Sequence, residues 1–156
     1  ALTTGWVEIQ ETDIWGSTII ASGTIKIISE GFAERLLEFQ QKIREKIGFW
    51  KPLFVACEDL NMVRNIKTTR LLLGLRTIIA LETWRYNQTE VSFIGCKEAR
   101  KKIGSKGNAT KEEVGEHLRI KFKNDPDIDW KDYNQTDALA IGVALVGGII
   151  DGKETE

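Results

Sequence analysis

Apolar and polar residues alternate over residues 5–9, and residues 17–28 are rich in Ile and Thr around a single Gly23. A period of two with β-branched enrichment predicts strands, so the amino-terminal part reads as two or three antiparallel strands in a meander. The period then changes. Phe32, Leu36, Phe39, Ile43 and Ile47 recur at helical spacing, with Gly48 as the stop. After Pro52, residues 53–57 are a short apolar run, the pattern of a strand covered on both faces, and it ends in the acidic pair Glu58–Asp59. A long helix is predicted over residues 67–84. Leu71, Leu72, Leu75, Ile78, Ile79 and Leu81 cover much of its circumference, so it is expected to be buried or shared with a second subunit. Residues 91–94 predict another strand, followed by a basic loop with Gly104 and Gly107. Thr110 and Glu113 have capping-box spacing and open a helix to about Phe122. An acidic linker, residues 124–132, leads to a last helix over residues 134–150. Its Ala138, Ala140, Gly142 and Ala144 suit close packing on a sheet.

The predicted order, β-β-β-α-β-α-β-α-α, is that of an α/β protein with a mixed five-stranded sheet flanked by helices. One domain is expected over residues 1–150, with residues 151–156 as a flexible tail. A chain of 156 residues with 42% hydrophobic and 29% charged residues suits one soluble globular core. No apolar run reaches the roughly 18 residues that cross a bilayer, and no charged-then-apolar leader opens the sequence. Cys57 and Cys96 lack a CxxC partner and read as reduced thiols. The expected location is the cytoplasm, with no membrane partner. The net charge of −1 hides a local excess. Residues 97–111 carry six basic side chains (Lys97, Arg100, Lys101, Lys102, Lys106, Lys111) and one acidic one, Glu98. Such a stripe attracts polyanions. By composition alone a solvated helix face explains it as well. His117, mid-helix beside Leu118, reads as structural.

Two carboxylates stand out by position. Glu58 follows a buried strand, where ligands gather in open α/β sheets. Asp137 is expected in the first turn of an apolar helix, where it would simply favour the helix dipole. Brought together, the pair would repel unless a cation joined them, and oxygen donors of this kind suit Mg2+ or Mn2+. Asn134 precedes Asp137 by three residues and shares its helix face.

Here a resemblance becomes specific. Val55-Ala-Cys-Glu-Asp-Leu-Asn61, then Asn65 and a long helix with Gly74, resembles the second motif of RuvC-type Holliday-junction resolvases. The run from Gly104 through Lys111 to Val114 is similar to their Gly-rich loop, lysine and following helix. Asp137-Ala-Leu-Ala-Ile-Gly-Val-Ala is similar to their final motif, and Thr4-Gly5 to the tail of their first. The four matches fall in family order over nearly the whole chain, and phage-encoded members are the subgroup brought to mind.

The resemblance implies an RNase H-like fold and a structure-selective, metal-dependent endonuclease. Such an enzyme resolves Holliday junctions and other branched DNA by paired nicks, with two Mg2+ or Mn2+ ions. It assigns the metal to Glu58, Asp137 and Asn134, and a catalytic place near the scissile phosphate to Lys111. DNA contacts are expected from Thr4, Asn61, Arg64, Asn65, Lys67, Lys97, Arg100, Lys101 and Lys106, and a homodimer through the apolar helix. The expected setting is a bacterial or phage-infected cell. Three departures matter. The family's leading aspartate would fall three residues before Ala1, where the natural chain is expected to carry it. Asn134 stands where the family has an acid or His. Asn61, with Met62 beside it, replaces an aromatic wedge. Competing readings are a non-catalytic relative that binds branched DNA, a structural module on the same core, and another RNase H-like nuclease, for instance on RNA–DNA hybrid.

Overall fold

The computed structural model describes residues 2–12, 16–60, 65–122 and 128–150. In chain order the elements are β1 (Leu2–Thr12), β2 (Gly16–Ile27), α1 (Phe32–Trp50), β3 (Ala56–Glu58), α2 (Ile66–Asn87), β4 (Ser92–Ile94), α3 (Cys96–Lys102), α4 (Lys111–Lys121) and α5 (Tyr133–Ile150). The chain is α/β and forms two compact units. One joins Ala1–Thr3 to Lys26–Phe93, the other Thr4–Ile25 to Ile94–Glu156. Among the described residues no helix is long and apolar enough to cross a membrane. The tail expected over residues 151–156 lies outside them.

In place of one five-stranded sheet, the described residues hold two two-stranded ones, β1 with β2 and β3 with β4. The meander contributes two strands because β2 runs unbroken through Gly23. Gly23 is no turn: a Cβ there would come within 2.9 Å of the Trp6 indole nitrogen, so its missing side chain makes room for a ring. The three-residue link between β1 and β2 is too short for a parallel crossover, so the pair is antiparallel. The run expected as a strand over residues 53–57 shortens to β3, and Leu53 and Phe54 are exposed. The Asn87 side-chain amide donates to the carbonyls of Pro52 and Leu53, taking them out of any ladder.

In the first unit, Gly48 does not stop α1. The helix continues to Trp50 and ends where Lys51 turns left-handed, at φ 50°. A mid-helix glycine costs about 1 kcal/mol and is tolerated where packing holds the helix. Glu38 ties α1 to the exit of β2, accepting from the Ile28 and Ser29 N–H groups, the Ser29 hydroxyl and Lys42. α1 packs on α2, with Leu36 against Gly74. Gln40 and Arg44 of α1 meet Arg85 of α2 on the buried Glu82 carboxylate. α2 is less buried than its sequence predicts. Leu75 is buried, but Ile66, Leu73, Leu81 and Trp84 are exposed.

In the second unit, α5 packs on α3 and α4. Leu118, Leu139, Val114 and Ala140 form the centre of its core, with Val7 and Ile9 of β1 against them. The basic stretch expected as a loop is helical over Cys96–Lys102, and three cations in its last turn suit the negative end of the dipole. The small-residue face of α5 meets β1 closely at two places. A Cβ on Gly5 would fall 1.8 Å from the Asn134 carbonyl oxygen, and one on Gly142 would fall 2.6 Å from Ile9 Cδ1. Four strand residues rise about 13 Å and eight helix residues about 12 Å. β1 and α5 therefore run side by side in one direction, in matched register, from Gly5 against Asn134 to Ile9 against Gly142.

Candidate active site

In the second unit, candidate residues gather at the amino-terminal ends of α4 and α5. Thr110 caps α4: its hydroxyl accepts from Glu113 N–H at 3.2 Å, and the Glu113 carboxylate accepts from Thr110 N–H at 2.7 Å. That fixes Lys111 as the first helical residue. Its Nζ donates to Asp137 Oδ2 at 2.8 Å. Glu112, beside it, is hydrogen-bonded to the Tyr133 hydroxyl. That bond pushes the phenol up, while Glu112 is lowered, first by its own backbone N–H and then by Thr110 and Tyr133.

Asp137 is not in the first turn, as its sequence position suggested. α5 opens at Tyr133, so Asp137 is its fifth residue, and the first turn holds no acid. Dipole stabilisation fades within one turn, so it does not account for Asp137. The residue at the helix entry is Asp132. Its Oδ1 accepts from both the backbone N–H and the side-chain Nδ2 of Asn134, each at 3.0 Å. Its Oδ2 accepts from the Thr24 hydroxyl and, at 3.3 Å, from Gln135 Nε2. The Thr24 hydrogen bond, before the others, lowers the Asp132 carboxyl below its usual range. Gln135 Oε1 in turn accepts from the Ser22 hydroxyl at 2.9 Å and the Asp129 N–H at 3.2 Å.

In the first unit, Glu58 ends β3 and is exposed. Arg76 of α2 braces both of its neighbours. Its Nη1 donates to Asp59 Oδ1 at 3.1 Å, its guanidinium stands 5.2 Å from the Phe93 ring centroid, and it hydrogen-bonds the Cys57 thiol. Burial pushes that thiol up, and the Arg76 charge partly offsets the effect. Arg76 and Asp132 were not singled out in the sequence. Arg76 is a lone charge on an otherwise apolar stretch of α2, which is a readable signal, whereas Asp132 sits among other acids.

Among the remaining candidates, Asn65 caps α2 by accepting from Lys67 N–H at 2.9 Å, and Lys67 is exposed beside it. Thr4 is half-buried on β1. Arg100 and Lys101 lie in the last turn of α3, and Lys97 and Lys106 are exposed. Asn61 and Arg64 lie outside the described residues. His117 hydrogen-bonds the Ile103 carbonyl at 2.7 Å, the structural part expected of it. No group of three or more His, Cys, Asp or Glu able to hold a metal ion occurs among the described residues. The candidate donors are Glu58, Asp137 and the Asn134 amide. All are hard oxygens and fit Mg2+ or Mn2+ by donor chemistry.

A family model described as "Crossover junction endodeoxyribonuclease RuvC" matches residues 2–145. The chain belongs to the RuvC family. RuvC from Hahella chejuensis is 28% identical over 134 residues, 83% of this chain and 74% of that protein. RuvC from Pseudomonas syringae is 29% identical over 143 residues, 90% of this chain and 78% of that protein. RuvC from Francisella philomiragia is 29% identical over 110 residues, and the match spans only 62% of that relative's length. Among solved structures, Thermus thermophilus RuvC aligns with a TM-score of 0.74 at 19% identity, covering 96% of this chain and 89% of that one. The same protein in complex with Holliday junction substrate aligns with a TM-score of 0.77 at 14% identity, covering 97% of each. The fold is thus that of RuvC, which is RNase H-like.

Proposed function

We propose that this RuvC-family chain is a structure-selective, divalent-metal-dependent DNA endonuclease that resolves Holliday junctions and other branched DNA by paired nicks. The observation that carries the reading is the 2.8 Å contact of Lys111 with Asp137. Two residues picked from separate family motifs meet as one charged pair. The names of the relatives, and the junction bound to the Thermus protein, support the same substrate.

Glu58, Asp137 and Asn134 would hold two Mg2+ or Mn2+ ions. When bound, these supply an activated water and charge neutralisation at the leaving oxygen. Lys111 lends its ammonium to the scissile phosphate. Thr4, Asn61, Arg64, Asn65, Lys67, Arg100, Lys101 and Lys106 contact the DNA backbone, which positions the duplex and carries no sequence information. We assign the chain to the cytoplasm, as one nuclease domain over residues 1–150. The exposed Leu73, Leu81 and Trp84 of α2 favour a homodimer, which would set two sites against a nearly two-fold junction.

The test is a nicking assay on a synthetic four-way junction with Mg2+ or Mn2+, beside linear duplex and RNA–DNA hybrid. Paired nicks on the junction, lost in Glu58→Gln and Asp137→Asn, are the expected result. Binding without cleavage would mark a non-catalytic relative, and cleavage of the hybrid alone a ribonuclease.

A further inference from the structure

Asn134 is the neutral member of the proposed metal set, and an amide is an oxygen ligand in only one of its two orientations. Turned the other way, it offers the cation an NH2 group. What decides the orientation is the partner on its far side. That partner is Asp132, a carboxylate that in its ionised form can only accept, so the Asn134 Nδ2 must face it and the Oδ1 must face away.

We propose that Asp132 is a positioning residue that locks the Asn134 side-chain amide with its oxygen presented as a divalent-cation ligand. The proposal rests on the metal-dependent reading above. Asp132 is not itself the ligand. Each of its oxygens already accepts two hydrogen bonds, Oδ1 from Asn134 N and Nδ2, Oδ2 from Thr24 and Gln135. A carboxylate has about four acceptor sites, so none is left over for a cation. The lock is itself anchored on β2 through Thr24, and through Ser22 by way of Gln135. Together they would let a neutral residue serve as an oxygen donor to the cation. A carboxylate at 134 needs no orientation, since its two oxygens are alike.

The plainer role of Asp132 is to cap α5, and the test separates the two. Asn and Ser cap helices about as well as Asp. Asp132→Asn and Asp132→Ser should therefore keep the fold, checked by circular dichroism and thermal unfolding. Mn2+ binding is then measured by calorimetry and by the EPR signal of free Mn2+, without DNA. Loss of a partner that orients a metal ligand typically costs about 10-fold or more in metal affinity, and that is the loss expected for Asp132→Ser, with a smaller loss for Asp132→Asn, whose amide oxygen can still accept from Asn134 Nδ2. In the Asn134→Asp background the same changes should cost clearly less, because no amide remains to be oriented. Equal losses in both backgrounds would reduce Asp132 to a nearby charge and overturn the proposal, as would an unchanged affinity in both variants. If the unaltered protein and Asp137→Asn bind Mn2+ equally poorly, the metal-site reading itself fails. If Asp137→Asn alone abolishes binding, only the role of Asp132 fails.

Discussion

The Lys111 ammonium rests 2.8 Å from the Asp137 carboxylate, across 26 residues of chain, so on the proposed metal-dependent reading a cation at that oxygen would compete with the lysine. Half of its side chain is open to solvent, and an exposed ion pair of this kind is worth roughly 0.2–1 kcal/mol. Lys111→Met is expected to tighten Mn2+ binding by up to about fivefold, the factor equivalent to that energy. It should also slow junction nicking by roughly 100-fold, through loss of charge stabilisation at the phosphate. Calorimetry and single-turnover cleavage check the two halves, and weaker Mn2+ binding in the variant would show that the lysine does not compete with the cation.

Gly5 and Gly142 both lie where α5 meets β1, yet their alanine variants should differ sharply. At Gly5 the added carbon meets backbone, the Asn134 carbonyl at 1.8 Å, and one of the two elements must move. At Gly142 it meets the tip of the Ile9 side chain, which can rotate. Gly5→Ala is expected to cost about 3 kcal/mol or more, and Gly142→Ala about 1 kcal/mol, in urea unfolding.

Glu82 is a buried carboxylate whose two arginine partners, Arg44 and Arg85, keep about 60% of their side chains in solvent. Removing it leaves no stranded buried charge, since both guanidinium groups reach water. Glu82→Ala should therefore destabilise by about 2 kcal/mol and not by the 3–5 kcal/mol typical of a broken buried pair. The larger value in denaturant titration would mean that the arginines cannot reach solvent without their acceptor.

Glu38 gives a pH dependence. The Lys42 hydrogen bond, then those from Ser29, hold its carboxyl at about 2, against an ordinary 4.5. A carboxyl lowered on folding stabilises the protein above its unfolded value and loses that contribution as pH falls through the folded one. The contribution is thus complete above pH 4.5 and fades towards pH 2. Glu38→Gln should lower stability at neutral pH and flatten its fall across that window, read from urea midpoints. Parallel pH profiles for the variant and the parent would argue against Glu38 as the source.

Local signals in the sequence were readable because their causes are local. The capping box of Thr110 and Glu113 forms within four residues, and the helical spacing from Phe32 to Ile47 needs only one face of one helix. The motif residues Lys111 and Asp137, 26 positions apart, stand out by resemblance, and the structure brings them into contact. The misreadings share a different cause. The place of Gly23 inside an unbroken strand is not legible locally because its reason, the Trp6 ring, lies 17 residues away on another strand. Leu53 and Phe54 looked buried because nothing local shows that Asn87 takes up the carbonyls of Pro52 and Leu53. Asp132 was passed over because its partner Thr24 is 108 residues distant.

The matched register of β1 and α5 also bears on how this chain can change length. One residue inserted between Gly5 and Ile9 adds about 3.3 Å and swaps the faces of everything beyond it. One inserted between Asn134 and Gly142 adds about 1.5 Å and turns the rest of the helix by about 100°. Two helix residues nearly match one strand residue in length but leave the helix turned by about 160°. No one- or two-residue insertion in the helix repairs a single residue inserted in the strand; the smallest near match is two strand residues against four helix residues, which leaves the helix turned by about 40°. These two stretches can drift in side chain, but changes in their length have to come in such matched steps.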